Sequence, residues 1–269
     1  MTLTNDDGFS ALKRFIEQTL KIQCSNYKED YIKRRLLSRM RSTSTATYND
    51  YLKYLKDNPP ELENLRNALT INVTEFFRDN DVYDLVRKEV LPSIFKTRKS
   101  IRIWCAGCST GEEPYSLAMI LSDLMAADKT LSGQIFATDI DEVVLKKAKD
   151  GIYSEKSMGK LSETQIHRHF TKLPDGTYQV KPHLQALIRF RPHDLMSGQP
   201  ISRFLDMITC RNVTIYFTEK QKDDLARTFH GALVPGGYYV MGKTEYLGRE
   251  VETLFAPVNS IQKVYRKKE

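Results

Sequence analysis

One stretch constrains the fold more than any other: "IRIWCAGCSTGEEPYSLAMIL", residues 101–121, runs from a strand through a glycine loop into a helix. The same grammar returns at "QIFATDI" (134–140), which leads into the helix "DEVVLKKAKDG", with Gly151 placed to stop it. A third strand is expected near 187–191. "FLDMITC" and "GGYYVMG" read as two more buried strands, separated by a helix around 218–231. Strands alternating with helices predict an α/β domain with a mostly parallel sheet covered on both faces. "FTKLPDGTYQV" interrupts that rhythm as a hairpin on Asp175-Gly176, a small antiparallel insertion over about 169–192.

Ahead of this domain the pattern is helical. Phe9, Leu12, Ile16 and Leu20 recur at spacings of three and four, as do Tyr31 or Ile32, Leu36 and Met40. Thr47 and Asp50 form a capping pair before a third helix bearing Tyr51, Leu52 and Leu55. Pro59 and Pro60 then break the chain, and Leu62, Leu65 and Leu69 mark a fourth helix. The expected organisation is a helical domain over 1–71, a motif segment and linker helix over 72–100, and the α/β domain over 101–269.

In open α/β sheets a ligand lies beyond the carboxyl ends of the strands, near the first loop. That loop here is Ala106 to Gly111, whose glycines allow close backbone approach. It lacks the spacing of a dinucleotide fingerprint, and Gly111 is followed by Glu112 where a phosphate loop would carry lysine. A helix N-terminus attracts anions, but Glu112 and Glu113 already fill that position with carboxylates. A pyrophosphate would meet like charge, whereas a cationic cofactor would meet a partner. S-adenosylmethionine carries a sulfonium and an ammonium but no phosphate, and fits. Glu113 is read as a helix-capping group and Glu112 as the cofactor-side acid. Asp139, at the end of "FATD", is placed to accept from ribose hydroxyls, and Asp141 to cap the next helix. Asp194 and Leu195 are placed to meet the adenine edge.

Taken together, "NVTEFFRD" (72–79), "CAGCSTGEEPYS" (105–116), "ATDID" (137–141) and "CRNVTIYF" (210–217) resemble the chemotaxis receptor methyltransferases of the CheR type, in order and along nearly the whole chain. The resemblance implies a Rossmann-like class I methyltransferase domain behind a small all-helical receptor-recognition domain. It also implies methyl transfer from S-adenosylmethionine to glutamate side chains of a chemoreceptor's helical cytoplasmic domain, leaving S-adenosylhomocysteine. By that resemblance Asn72, Thr74 and Arg78 line the pocket, and Ala106, Glu112, Asp139, Asp194 and Leu195 hold the cofactor, joined by Arg211 and Asn212. Some family members carry asparagine where Asp194 stands. Arg78 and Tyr216 are the candidate catalytic residues, Arg78 because a guanidinium matches the geometry of an incoming carboxylate. A glutamate acceptor, with a reference pKa of about 4.3, is already ionised near neutrality and requires no general base.

The net charge of +7 points to an acidic partner, and "KRRLLSRMR" (33–41) concentrates it, with Arg35, Arg39 and Arg41 as candidate receptor-docking residues. The inserted hairpin resembles the element by which some members bind a receptor C-terminal peptide through strand addition. The basic segment lacks interleaved aromatics for stacking bases, so no nucleic-acid partner is expected. Cys105 and Cys108 form a C-x-x-C without a second pair, and no metal is expected. His167, His169, His183, His193 and His230 are read as surface residues. No apolar run reaches the roughly 18 residues of a membrane span. The opening "MTLTNDDGFS" has no signal-like pattern, and four scattered cysteines suit a reducing cytoplasm. A monomer is expected. The competing readings are a non-catalytic S-adenosylmethionine-binding signalling module and a methyltransferase with another acceptor, RNA or a small molecule; a nicotinamide dehydrogenase ranks a distant third on the phosphate argument.

Overall fold

A computed structural model describes residues 6–20, 22–70 and 74–269. They form two units, one holding the helices up to Leu69 together with Tyr216–Thr218, the other holding the remainder.

The helical unit contains α1 (Asp6–Leu20), α2 (Glu29–Ser42), α3 (Tyr48–Asp57) and α4 (Pro59–Leu69). Its core is the set of periodic apolar positions: Phe9, Leu12, Ile16 and Leu20 from α1, and Tyr31, Ile32, Leu36 and Met40 from α2. α3 opens on a capping box, in which the Thr47 hydroxyl accepts from Asp50 N at 3.1 Å and the Asp50 carboxylate from Thr47 N at 3.1 Å. Pro59 occupies the first turn of α4, where its missing N–H costs nothing.

One predicted docking arginine needs correcting. Arg39 spends its fork inside this unit, with Nε and Nη2 donating to Glu61 at 2.8 and 2.7 Å. Glu61 is buried and also accepts from Tyr51 and Asn64. A bidentate guanidinium on a buried carboxylate is a structural tie, because freeing it would strand the acid. Arg41 is exposed, with Nε on Leu37 O at 3.2 Å, and the Arg35 guanidinium lies over the Tyr31 ring at 5.4 Å.

The second unit begins with α5 (Asn80–Leu85), a widened turn at Val86–Val90 and α6 (Leu91–Phe95). Pro92 explains the widening: it offers no N–H to the preceding turn, and Leu91 N reaches back to Val86 O. Phe76, Phe77, Val82, Val86 and Val90 sit in the core of this unit, so the expected linker over 72–100 is part of the α/β domain from its first described residues.

In chain order the rest comprises β1 (Ser100–Ala106), α7 (Glu112–Ala127), β2 (Ser132–Asp139), α8 (Glu142–Asp150), β3 (Ile152–Tyr153), α9 (Glu163–His169), β4 (Phe170–Lys172), β5 (Tyr178–Val180), α10 (Pro182–Gln185), β6 (Ile188–Pro192), β7 (Leu205–Cys210), α11 (Glu219–Ala232), β8 (Leu233–Met241), β9 (Phe255–Asn259) and β10 (Val264–Lys267). The large sheet has the order β6-β2-β1-β7-β8-β10-β9, parallel from β6 through β8, with β10 antiparallel to both neighbours. Strand order reverses between β1 and β7, and their carboxyl ends open the crevice where such sheets take ligands.

The small sheet has the order β3-β5-β4. The predicted hairpin is its β4–β5 pair, but the insertion over about 169–192 is corrected at both ends. Ile152–Tyr153 joins the small sheet from beyond α8, and Ile188–Pro192 is the edge strand of the large one.

His169, His193 and His230 differ from the expected surface placement, whereas His183 is exposed. His167 is exposed, but His169 is only 1% exposed and its Nδ1 lies 3.1 Å from His183 Nε2. His193 packs edge-on against Trp104, and His230 against Phe255. Burial pushes His169 down to about 4 from its ordinary 6.5, only partly opposed by Asp123, while His183 and the cations of Arg168 and Lys181 push the same way. A base that folds neutral gains stability as pH rises; that contribution is complete above about 6.5 and is lost as pH falls towards about 4. Melting temperatures across that window should therefore fall more steeply for the parent than for His169→Gln.

Candidate functional site

The crevice is built from three strand exits. At the first, β1 ends at Ala106, in register with Thr138, and the loop turns back so that Gly107 N and Cys108 N both donate to Thr138 O at 2.8 Å. Gly107 (φ 77°) and Gly111 (φ 97°) take the left-handed conformation. A Cβ on Gly107 would lie 2.6 Å from Val213 Cγ2, and one on Gly111 2.9 Å from Ala148 Cβ, so neither position admits a side chain. The Tyr153 hydroxyl donates to Thr110 O at 2.7 Å and fixes the end of the loop.

Glu112 opens α7, is buried, and accepts from the Thr110 hydroxyl at 2.7 Å. Burial pushes its carboxyl up, partly offset by that bond. At the second exit Asp139 is half-buried and accepts from Ser109 N at 2.8 Å and Asp141 N at 3.0 Å. Burial raises its pKa too, against the pull of those two N–H groups. Asp141 caps α8 by accepting from Val143 N at 2.9 Å. Beyond β6, Asp194 caps the short turn Leu195–Ser197 through Met196 N at 2.8 Å; its side chain is exposed and Leu195 is half-buried.

The third exit differs from expectation. Glu113 is not a helix cap. Its carboxylate accepts from the Thr209 hydroxyl at 2.7 Å and the Cys105 thiol at 3.2 Å, and faces Arg211 Nη1 at 3.3 Å. Arg211 is buried and also donates to Asp79 at 2.7 Å and Arg78 O at 2.8 Å. Burial pulls its charged form down, but Tyr83, Glu113 and Asp79 outweigh that and raise its pKa. Arg211 therefore ties the "FFRD" turn to the sheet through Nη1 and Nη2, while its Nε is buried without a hydrogen-bond partner among the described residues. Phe77 (φ 49°) and Asp79 (φ 57°) flank Arg78 in the left-handed region, costly for such side chains. The turn holds because Phe76 is fully buried against Tyr153 and Phe170, Phe77 N donates to Ser116 Oγ at 2.9 Å, and Arg211 clamps Arg78 O. Arg78 is half-buried, as is Thr74; Asn72 lies outside the described residues.

Asn212 takes φ 60° as the chain leaves β7, and its Oδ1 is buried without a hydrogen-bond partner among the described residues. Sequence reasoning missed Glu245 entirely. This carboxylate, 2% exposed, accepts from Asn212 N, Val213 N, Thr214 N, the Thr214 hydroxyl and Gly242 N, at 2.7–3.0 Å. An isolated acid in "GKTEY" has no periodicity or spacing to mark it. Tyr216 belongs to the helical unit: its ring lies 4.7 Å from that of Tyr31 and its carbonyl accepts from Lys28 N at 3.0 Å.

These residues suit S-adenosylmethionine. The strand exits present the acceptors Glu112, Asp139 and Asp194 together with the unpartnered Asn212 Oδ1, matched to a cation bearing hydroxyl and amino donors and hostile to a pyrophosphate. Burial drives the thiols of Cys105, Cys108 and Cys210 well above their usual range, so all three stay protonated and are poor nucleophiles or metal ligands.

The comparisons agree with that chemistry. Residues 72–264 match the CheR methyltransferase SAM-binding domain, and residues 7–70 the CheR methyltransferase all-alpha domain. Similar proteins include the chemotaxis protein methyltransferase of Listeria monocytogenes, 36% identical over 92% of this chain and 93% of that one. Chemotaxis protein methyltransferase 2 of Vibrio cholerae is 32% identical over 91% and 87%, and the Escherichia coli chemotaxis protein methyltransferase 33% over 90% and 85%. Two matching domains that together span nearly the whole chain, with relatives more than 30% identical over about nine-tenths of it, place it: the chain belongs to the CheR family of S-adenosylmethionine-dependent chemotaxis methyltransferases.

Proposed function

We propose that this enzyme methylates glutamate side chains on the cytoplasmic helical domain of a chemoreceptor, in the cytoplasm. The observation that carries the reading is Arg78, an arginine on a turn held from both sides at the cofactor end of the sheet. S-adenosylmethionine, when bound, supplies a methyl group on a positively charged sulfur. Glu112, Asp139, Asp194 and Asn212 hold it from the strand exits, with the backbone of the Ala106–Gly111 loop against it and Leu195 and Thr74 beside it. Arg78 receives the acceptor carboxylate bidentately and orients it. Its benefit is alignment: a bond that stabilised the ground-state anion more than the transition state would slow transfer. Attack of a carboxylate on a sulfonium cancels opposite charges, which a drier pocket favours relative to water.

On the helical unit, the exposed Arg41 and the half-buried Arg35 of α2 form the docking face for a glutamate-rich receptor helix, with attraction that weakens as salt rises. Tyr216 contributes through that unit, where its ring packs at a tilt against Tyr31. The edge of the three-stranded sheet is where a receptor C-terminal peptide would add as a further strand.

Radiolabelled S-adenosylmethionine, the enzyme and a panel of receptor cytoplasmic fragments test this. Label should enter the receptor, leave as volatile methanol under mild alkali, and enter more slowly as salt is raised. Alkali-stable label would move the activity to nitrogen or another acceptor. An enzyme that binds S-adenosylhomocysteine yet labels no receptor would overturn the glutamate reading.

A further inference from the structure

We propose that Glu245 is a positioning residue for cofactor binding: its buried carboxylate shapes the β7 exit, which in turn holds the glycine loop. The inference rests on placing S-adenosylmethionine at this end of the sheet. Three consecutive peptide N–H groups, at Asn212, Val213 and Thr214, turn inward where the chain leaves β7. No strand receives them there, and buried N–H groups without acceptors are costly. Glu245 takes all three, plus the Thr214 hydroxyl and Gly242 N, so an acid from beyond β8 fills a backbone nest of the kind that elsewhere binds anions.

The consequence reaches the cofactor loop through Val213. With its N–H held by Glu245 Oε1 at 3.0 Å, the Val213 side chain lies where a Cβ on Gly107 would be, 2.6 Å from Cγ2. Gly107 is followed by Cys108 and Ser109, and Ser109 N donates to Asp139. Glu245, itself 2% exposed, thus sets the backbone on both sides of the crevice without reaching a ligand. The nest leaves no slack: a Cβ on Gly242 would lie 2.7 Å from Glu245 Oε2 and 2.8 Å from Asn212 N.

The test is S-adenosylhomocysteine binding by calorimetry on the full chain, with thermal melting beside it. Glu245→Gln keeps the shape but turns one acceptor oxygen into a donor facing N–H groups, and should weaken binding by about tenfold or more. Glu245→Ala empties the nest; its affinity should recover in acetate and not in chloride of equal ionic strength. A loss that acetate leaves untouched would assign the effect to packing and overturn the proposal, as would a folded Glu245→Gln that binds within about twofold of the parent. Should both variants fail to fold, Val213→Ala removes the contact on Gly107 while leaving the carboxylate in place; it should also weaken binding, and unchanged affinity overturns the proposal. No acceptor takes part, so these outcomes are independent of which carboxyl the enzyme methylates, and binding by the parent checks the cofactor site itself.

Discussion

Asp139→Asn should weaken S-adenosylhomocysteine binding by about 10- to 150-fold, the equivalent of one charge-assisted hydrogen bond of about 1.5–3 kcal/mol. Asp139 stands at the end of β2 with its carboxylate already anchored by Ser109 N and Asp141 N, so a ligand bound there would meet it preorganised. The amide keeps the shape but loses the charge, and it can no longer accept on both sides. Affinity for the parent should also fall as pH drops, beginning above the usual carboxylate range, because burial raises both Asp139 and Glu112 and a protonated acid cannot serve a cationic or hydroxyl donor in the same way. Calorimetry across pH on parent and variant reads both effects. A variant that binds like the parent would remove Asp139 from the site.

Arg211→Ala should cost about 3–5 kcal/mol of stability, because it strands Asp79 and Glu113 around a buried gap. For a unit of this size that corresponds to a melting shift of roughly 6–20 °C. The loss should extend to turnover. Arg211 also holds Arg78 O at 2.8 Å, and two left-handed residues beside Arg78 depend on that clamp. Differential scanning calorimetry and methyl transfer measured well below the variant's melting point separate the two consequences. A variant with the parent's melting temperature would show that the cluster is not a structural tie.

Much of the fold was legible because it is locally encoded. The α1 and α2 faces follow from a period that any helix imposes, and Thr47 with Asp50 needs only four consecutive residues to cap α3. The strand–loop–helix at 101–121 is likewise a local pattern, and Asp139 could be placed because the carboxyl end of a parallel strand is where this topology puts ligands. The misreadings share one cause. Glu113 looked like a cap because its neighbours in sequence are a loop and a helix, but its partner Arg211 is 98 residues away and that residue's other acid, Asp79, 132 away. His169 looked polar from its neighbours, yet the fold buries it beside His183, 14 residues further on.

The sequence by itself determined the class of the protein: a helical unit before a mostly parallel α/β domain, a loop whose acids refuse phosphate, and a cationic cofactor to suit it. These rest on period, turn chemistry and charge next to charge, all of which act over a few residues. Only the tertiary structure decided which charges are tied up in the fold. Arg39 is bound to the buried Glu61, Arg211 to the half-buried Asp79 and Glu113, Glu245 is spent on backbone N–H groups, and the carbonyl of Arg78 is held by Arg211. A charge must be satisfied wherever burial puts it, and burial is set by segments distant in sequence.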